Sequence, residues 1–383
     1  MTEPRDPIAD LRRIAFLLER AQEATYRVRA FRTAASVLVA RDDVEQRAKA
    51  GTLTALTGVG EVTARCVIES LAGAPPGYLQ RLEATGAAEV AHQGSTQPGS
   101  TQPGSTQPGS TQPGSTQPGS TQPGSTQPGS TPAGMALRAA LHGDCHTHSD
   151  WSDGGSPIEE MAATARDLGH DYLVLTDHSP RLTVANGLSA ERLRRQLDVV
   201  AALNSDLAPF RILTGIEVDI LADGALDQSD DLLAVLDVVV ASVHSQLRMP
   251  AEQMTERMRT AVANPHVDVL GHCTGRIVSG SRKRPESQFD AAAVFAACAE
   301  YGVAVEINSR PERLDPPKRL LRLALGTGCL LSIDSDAHAP GQLDWLPYGC
   351  ERAAACGVPA DRVVNTWSAG ELRAWAAHHR ATS

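Results

Sequence analysis

The sequence predicts an α/β protein: a parallel sheet of seven strand-helix units, most economically closed into a barrel, preceded by a small all-helical module. Three observations carry this. Short apolar runs at 141–146, 171–176, 211–216, 237–243, 267–271, 303–307 and 330–334 alternate with helical stretches, the pattern of a parallel α/β sheet. Ile8, Leu11, Ile14, Ala15 and Leu18 recur at helical spacing, and a second helix is expected near Tyr26 to Val39, so residues 6–90 read as helices. Between the two regions the pentapeptide Ser-Thr-Gln-Pro-Gly repeats seven times from Ser95 to Gly129, followed by the degenerate copy Ser130-Thr-Pro-Ala-Gly134.

The repeat contains no aliphatic or aromatic side chain and has a proline in every copy, so it cannot offset its ordering entropy and is expected to be a disordered spacer. A flexible coil of that length spans roughly 30–35 Å. The expected division is a helical domain over 1–93, a linker over 94–134 and the α/β domain over 135–383.

The 383 residues are enough for two domains, the larger able to bury a full core. The formal charge of −10 lies wholly in the second half: residues 1–93 carry 12 basic and 12 acidic side chains, leaving 23 against 33 beyond. Global charge therefore announces no nucleic-acid surface, although bound divalent cations would reverse the field at an acidic pocket. The seven cysteines are odd in number and form no Cys-x-x-Cys pair, which suits reduced, mostly buried thiols in a cytoplasmic protein. The first 20 residues are charged throughout, and no apolar run approaches the roughly 18 residues needed to cross a bilayer, so neither secretion nor a membrane partner is expected.

Six of the seven apolar runs stop at a residue able to bind a metal. His146 and His148 close the first, two apart on one strand face, and Asp336 and His338 repeat the spacing at the seventh. Between them come Asp153 in a Ser-Asp-Gly-Gly turn, His178, Glu217, His244 and His272; the sixth run ends in Asn308. In a parallel barrel the strands' C-terminal ends form the active face. Nine ligands without a thiolate exceed the needs of one ion and suit two or three divalent ions of zinc, manganese or iron, with Glu217 the best bridging carboxylate. Such a cluster would supply a metal-activated hydroxide and clamp a phosphoryl oxygen, so phosphoester hydrolysis is the expected chemistry. Cys145 and Cys273, each beside a proposed ligand, are expected to point to the opposite face and pack.

The ordered runs Asp-Cys-His-Thr-His-Ser (144–149), Leu-Thr-Asp-His-Ser (175–179), Gly-Ile-Glu-Val-Asp (215–219), Ser-Val-His-Ser (242–245), Gly-His-Cys-Thr-Gly-Arg (271–276), Glu-Ile-Asn-Ser (306–309) and Asp-Ser-Asp-Ala-His (334–338) resemble the polymerase and histidinol phosphatase (PHP) domain. The resemblance covers 141–383 and implies a distorted, TIM-like (βα)7 barrel with three metal sites. By it, His146, His148, Glu217 and Asp336 hold one ion, Glu217, His244 and His272 a second, and Asp153, His178 and His338 the third. Residues 179–189 and the Gly-His-Cys-Thr-Gly-Arg run look most like the version fused to bacterial X-family DNA polymerases. Arg276, four residues past His272, is expected to contact substrate phosphate and to serve catalysis with Asp336 and His338, with Arg181 and Arg310 as weaker phosphate candidates. Asn308 could bond substrate or cap its strand.

In the helical module, Leu53-Thr-Ala-Leu-Thr-Gly-Val-Gly-Glu-Val-Thr-Ala-Arg (53–65) fits a helix-hairpin-helix, whose Gly58 and Gly60 let backbone amides approach a DNA phosphate without regard to base sequence. Residues 8–19 and 26–35 resemble the amino-terminal DNA-binding domain of the same polymerases, with Arg27, Arg29 and Arg32 as basic contacts beside the hairpin. Two features depart from that family: its lyase lysine falls at Cys66, and no segment remains for a polymerase core. The resemblance thus implies a metal-dependent phosphoesterase acting on DNA, as a 3′–5′ exonuclease or 3′-end processing enzyme in repair, with the module binding DNA non-specifically and the linker tethering the barrel. The alternatives are a small-molecule phosphatase of histidinol phosphate or nucleotide type and a non-catalytic DNA-binding or scaffold module. An amidohydrolase also uses a His-x-His strand end, but many members add a carboxylated lysine, and Lys49, Lys283 and Lys318 lie at no strand end.

Overall fold

A computed structural model describes residues 5–91, 131–280 and 283–382; the seven full repeats lie outside the described residues. Helix α1 (Pro7–Arg20) begins where the Asp6 carboxylate accepts the Ile8 amide and Pro7 takes the first helical position. Its expected stripe of Leu11, Ile14, Ala15 and Leu18 is buried in a core shared with α2 (Thr25–Val39), α4 (Glu61–Leu71) and α5 (Gly77–Ala91), with α3 (Val44–Ala50) packed alongside. The last copy of the repeat departs from its expected disorder. Thr131 accepts the Gly134 amide and Pro132 occupies the first turn, so Thr-Pro-Ala-Gly starts α6 (Pro132–Ala140) and belongs to the second domain.

The second domain is a sheet of seven parallel strands in sequence order: β1 (Gly143–Thr147), β2 (Tyr172–Leu175), β3 (Arg211–Asp219), β4 (Val238–Ser242), β5 (Val269–Leu270), β6 (Ala304–Asn308) and β7 (Leu331–Asp334). One helix fills each crossover: α7 (Ile158–Asp167), α8 (Ala190–Leu207), α9 (Asp230–Leu233), α10 (Ala251–Val262), α11 (Ala291–Tyr301) and α12 (Lys318–Thr327). α13 (Leu346–Ala354) and α14 (Ala369–Thr382) follow β7. Val174, Leu213, Val238, Val240, Val269 and Ala304 form an apolar cluster, and strand alternation places Glu217 and Glu306 on the same face as Leu213 and Ala304. Hydrophobic filling below and ligands above thus share one barrel interior.

The barrel is distorted where it closes. The β1–β2 register shifts between Asp144 and Thr147, and β1 meets β7 and the chain after it through a Thr147–Ala337 bridge, a 2.8 Å bond from the His148 amide to the Ala337 carbonyl and side-chain bonds from the Ser335 amide to Asp144 (3.2 Å) and from the Cys145 amide to Asp334 (2.9 Å). Below, Asn365 is wedged into the seam. Its amide nitrogen donates to the carbonyls of Gly143 (3.2 Å) and Ile333 (2.9 Å), and its oxygen accepts the Ile333 amide at 2.7 Å. Buried backbone groups left by the imperfect closure are thereby satisfied.

The helical module is docked on the barrel, not merely tethered to it. Glu19 accepts two bonds from Arg32 (2.7 and 2.8 Å) and one from the Gly341 amide (2.8 Å), while Arg32 also bonds Glu160 of α7. Arg20 pairs with Asp344 at 2.9 Å and its carbonyl accepts the Trp345 indole at 3.0 Å. At Gly341 the two bodies are in close contact: a Cβ there would lie 2.1 Å from the Phe16 carbonyl oxygen. Gly341→Val is therefore expected to lever the module off the barrel while leaving both cores folded. Small-angle scattering should show an enlarged radius of gyration with unchanged helix content by circular dichroism; an unchanged radius would refute the docking.

Candidate metal centre

Glu217, 1% exposed on β3, is the hub to which the strand ends converge. Its Oε2 lies 3.3 Å from His146 Nε2, 3.6 Å from His148 Nε2 and 2.8 Å from His178 Nδ1, and its Oε1 lies 3.2 Å from His244 Nε2 and 3.0 Å from His272 Nε2. Asp336 Oδ1 approaches His148 Nε2 at 3.5 Å and His146 Nε2 at 4.0 Å. Asp153 Oδ1 stands 3.5 Å from His178 Nε2 and 3.3 Å from His338 Nε2. All nine residues expected as ligands are brought together. Ligand atoms at ~2.1 Å from a tetrahedral ion lie roughly 3.4 Å from one another, so these separations leave room for ions between them.

The ligand atoms gather in three groups: His146, His148 and Asp336; His178, Glu217 and His244; and His148, Asp153, His178 and His338. Compared with the division implied by the resemblance, the first group lacks Glu217, the second holds His178 in place of His272, which lies 3.0 Å from Glu217 Oε1, and the third adds His148. Buried atoms are left without hydrogen bonds: His146 Nε2, both nitrogens of His148 and His244, His178 Nδ1, His272 Nδ1 and Glu217 Oε2. So many orphans in one place are costly unless something positively charged satisfies them. Imidazoles and carboxylates with free lone pairs turned towards one another are a fitting donor set for divalent transition ions.

A surrounding layer aims these ligands. Glu306 Oε1 takes His146 Nδ1 at 2.6 Å, which fixes that ring's orientation, and Asp219 Oδ1 lies 3.6 Å from His244 Nδ1, a charge contact without a hydrogen bond. Asn308 donates to Asp336 Oδ2 at 3.0 Å and so orients that candidate ligand. Asp336 itself has φ +52°, a left-handed backbone uncommon outside glycine, at the point where its carboxylate and, two residues on, the His338 imidazole enter the site. Asp177 accepts from Ser149, Ser152 and Gln196 and ties down the loop that carries Asp153.

Charge coupling within the centre is strong. Burial opposes ionisation of Glu217, but His146, His244 and His178 hold its carboxyl well below the usual range. Burial likewise opposes charge on Asp336, and Arg310, Arg313 and His148 overcome it. Burial pulls His244 down, yet Glu217 and Asp219 hold it up at about 9; burial also opposes charge on His146, and Glu217 and Glu306 raise it well above its ordinary value. His148, by contrast, is held well below its ordinary value by burial and by His338 and His178. Burial, with a contribution from Arg313, lowers His272 to about 4.

The arginines are redistributed relative to expectation. Arg276 does not reach the ligands: its guanidinium donates to the carbonyls of Arg313 (3.1 Å) and Leu314 and lies 3.4 Å from Glu286, because the chain turns away at Gly275 (φ +59°). Arg310 is in place, 3.6 Å from Asp336 Oδ1, and Arg313, unnoticed in the sequence, lies 3.2 Å from Asp336 Oδ2. Arg181 is exposed, with its backbone amide on Asp227 at 2.9 Å. In the module, Arg32 is consumed by Glu19 and Glu160 and is not a free DNA contact, Arg27 pairs with Glu23 at 3.1 Å, and Arg29 is exposed. Gly58 (φ +95°) and Gly60 form an exposed turn before α4, and a Cβ at Gly58 would lie 2.7 Å from the Thr33 methyl on α2. Cys145 and Cys273 are buried in apolar clusters, as is Cys66, whose thiol burial pushes up to about 11.

Residues 144–310 match the family described as the PHP domain. The DNA polymerase/3′-5′ exonuclease PolX of Bacillus subtilis (strain 168) is 40% identical over 235 residues, 61% of this chain and 41% of that protein, so the chain spans well under half of that relative's length. A probable phosphatase of Shewanella sp. (strain MR-4) is 30% identical over 236 residues, covering 58% of this chain and 86% of its own. Histidinol phosphate phosphatase from Lactococcus lactis, solved with zinc, L-histidinol and phosphate, is similar at TM-score 0.41 and 18% identity, over 56% of this chain and 92% of its own. Among the described residues, no helix is long and apolar enough to cross a membrane.

The histidine shifts give a signed pH dependence. In the metal-free protein, the ion pair of Glu217 with His244 is fully present below the ordinary histidine pKa of 6.5 and is lost as pH rises through about 9, and the pair with His146, also raised, is lost in the same direction. Metal ligation needs the neutral rings, so loading at pH 7 should expel protons and affinity should rise from pH 6 to about 9. Calorimetry with manganese in buffers of different ionisation enthalpy checks this, and heats independent of the buffer would contradict it.

Proposed function

This chain belongs to the PHP domain family and is a metal-dependent phosphoric ester hydrolase; from that premise we propose that its substrate is DNA, trimmed as a 3′–5′ exonuclease or processed at its 3′ end during repair. The observation that carries the hydrolytic reading is the ring of ligand-type side chains around Glu217, with its orphaned buried atoms. Two or three divalent ions, of zinc, manganese or iron, fit that donor set. Bound there, they supply an activated water and neutralise charge on the phosphoryl oxygens.

The chain's own residues do the rest. Arg310 and Arg313 keep Asp336 ionised, and Asn308 holds its second oxygen, so the carboxylate stays aimed at the centre. Glu306 fixes the ring of His146, preorganising that side chain before substrate arrives. Asp153 (36% exposed) and His338 (19%) are the most accessible of the nine, so the scissile phosphate meets the centre on their side, beside Arg310. His338 and Asp336 are the residues whose loss should be felt most directly in catalysis.

The DNA assignment is supported by the 40% identity to a relative named as a 3′-5′ exonuclease and by the Gly58–Gly60 turn on the docked module. A second reading, a small-molecule phosphatase, is favoured by the relatives named probable phosphatases, which the chain covers over 86% and 89% of their lengths. A purely binding role is disfavoured by the complete ligand set. Purified protein with manganese is expected to shorten a 5′-labelled 3′-recessed oligonucleotide stepwise, and Asp336→Ala or His338→Ala to slow this by roughly a hundredfold or more. Release of phosphate from histidinol phosphate and other small monoesters alone would favour the second reading instead.

A further inference from the structure

The docking of the helical module creates a groove that neither domain has alone. A cavity of about 740 Å³ is walled on one side by α2, through Thr25, Arg29 and Thr33, and on the other by Asp153, His338 and Arg310 of the metal centre. A second depression of about 560 Å³ lies across α2 and ends at Gly58 of the hairpin turn. The two share Thr25, Arg29 and Thr33, one turn apart on the exposed face of α2, so they form one path with Arg29 at the join.

The charge along this path is selective. Its four carboxylates are all engaged: Asp153 faces His178 and His338, Glu19 bonds Arg32 and the Gly341 amide, Glu23 pairs with Arg27, and Glu312 with Arg310 and Gln22. Arg29 has no carboxylate partner among the described residues, which leaves it as the unspent cation between the hairpin and the metals. A small monoester fills only the metal end. A chain of phosphates with flexible sugars uses the whole path, with one phosphate at the centre, another on Arg29 and a third at the Gly58 turn, among threonine hydroxyls that can bond any backbone.

We propose that this groove is the channel for a single DNA strand, that Arg29 is the positioning residue that makes the hydrolase prefer a polynucleotide over a monoester, and that the preference exists only while the module is docked. The inference rests on the DNA reading given above and deepens it. The helical module is then a wall of the active site, so DNA held at the hairpin is already threaded towards His338. The positioning is electrostatic and indifferent to base sequence.

The test compares full-chain wild type with Arg29→Glu and, separately, Gly341→Val. Two readouts are taken: binding of a fluorescent oligothymidylate to metal-free protein by anisotropy, and, with manganese, the ratio of kcat/KM for that oligonucleotide to kcat/KM for p-nitrophenyl phosphate. Loss of one charge-assisted phosphate contact should weaken binding about tenfold or more and lower the ratio as much, mainly through KM. Gly341→Val, with helix content retained, should lower the ratio comparably. Oligonucleotide binding and cleavage unchanged in Arg29→Glu would overturn the channel while leaving the DNA reading intact, as would parallel loss on both substrates. A wild type that cleaves the monoester but neither binds nor cleaves the oligonucleotide would overturn both.

Discussion

The carboxylate of Glu217, buried among five histidines, is the constraint on which the rest of this structure depends. A charge removed from water so completely is tolerated only if it is matched by other charge and by hydrogen bonds. Here His146, His148, His178, His244 and His272 all stand within 3.6 Å of it, brought from four other strand ends. Those strands must therefore converge at one end of the sheet, which a parallel barrel accomplishes and a flat sheet does not. The cost of the buried carboxylate and the unsatisfied imidazoles is offset when cations occupy the spaces between them.

The distortion of the barrel serves the same end. β1 and β7 do not pair along their length, and the gap lets Asp336 and His338 swing inward beside His148, while Asn365 takes over the backbone bonds that a regular seam would have made. The left-handed backbone at Asp336 stores strain at the point where a ligand is aimed, and Asn308, Arg310 and Arg313 hold the carboxylate there. The segment after His338 then carries Gly341 and Trp345, which receive α1 of the helical module. One stretch of chain thus links a metal ligand to the surface on which the module is seated.

Much of this was legible in the sequence, for definite reasons. Strands buried on both faces read as uninterrupted apolar runs, so all seven were foreseen within a few residues, and the nine candidate ligands proposed at or after their ends come together in space. Supporting residues were less visible because their roles depend on side-chain direction, not on order in the chain. Arg276 was favoured for its spacing from His272, yet the turn at Gly275 sends it to the carbonyls of Arg313 and Leu314, while Arg313, in no recognisable motif, reaches Asp336. Arg32 looked like a DNA contact within a basic helix, and only the docked geometry shows it bound to Glu19 and Glu160. Docking itself was hidden, because a proline-rich tract suggests independence whatever the surfaces at its ends do.

We propose that Glu217 would be shared by two or more divalent ions, and anomalous diffraction from crystals grown with manganese measures this directly. The account predicts at least two anomalous peaks, each about 2 Å from a Glu217 oxygen or from the His146, His148, His178, His244 and His272 nitrogens around it, with the peaks disrupted in Glu217→Gln. A single peak remote from Glu217, or an ion-free centre in protein shown to hydrolyse phosphoesters, would contradict it.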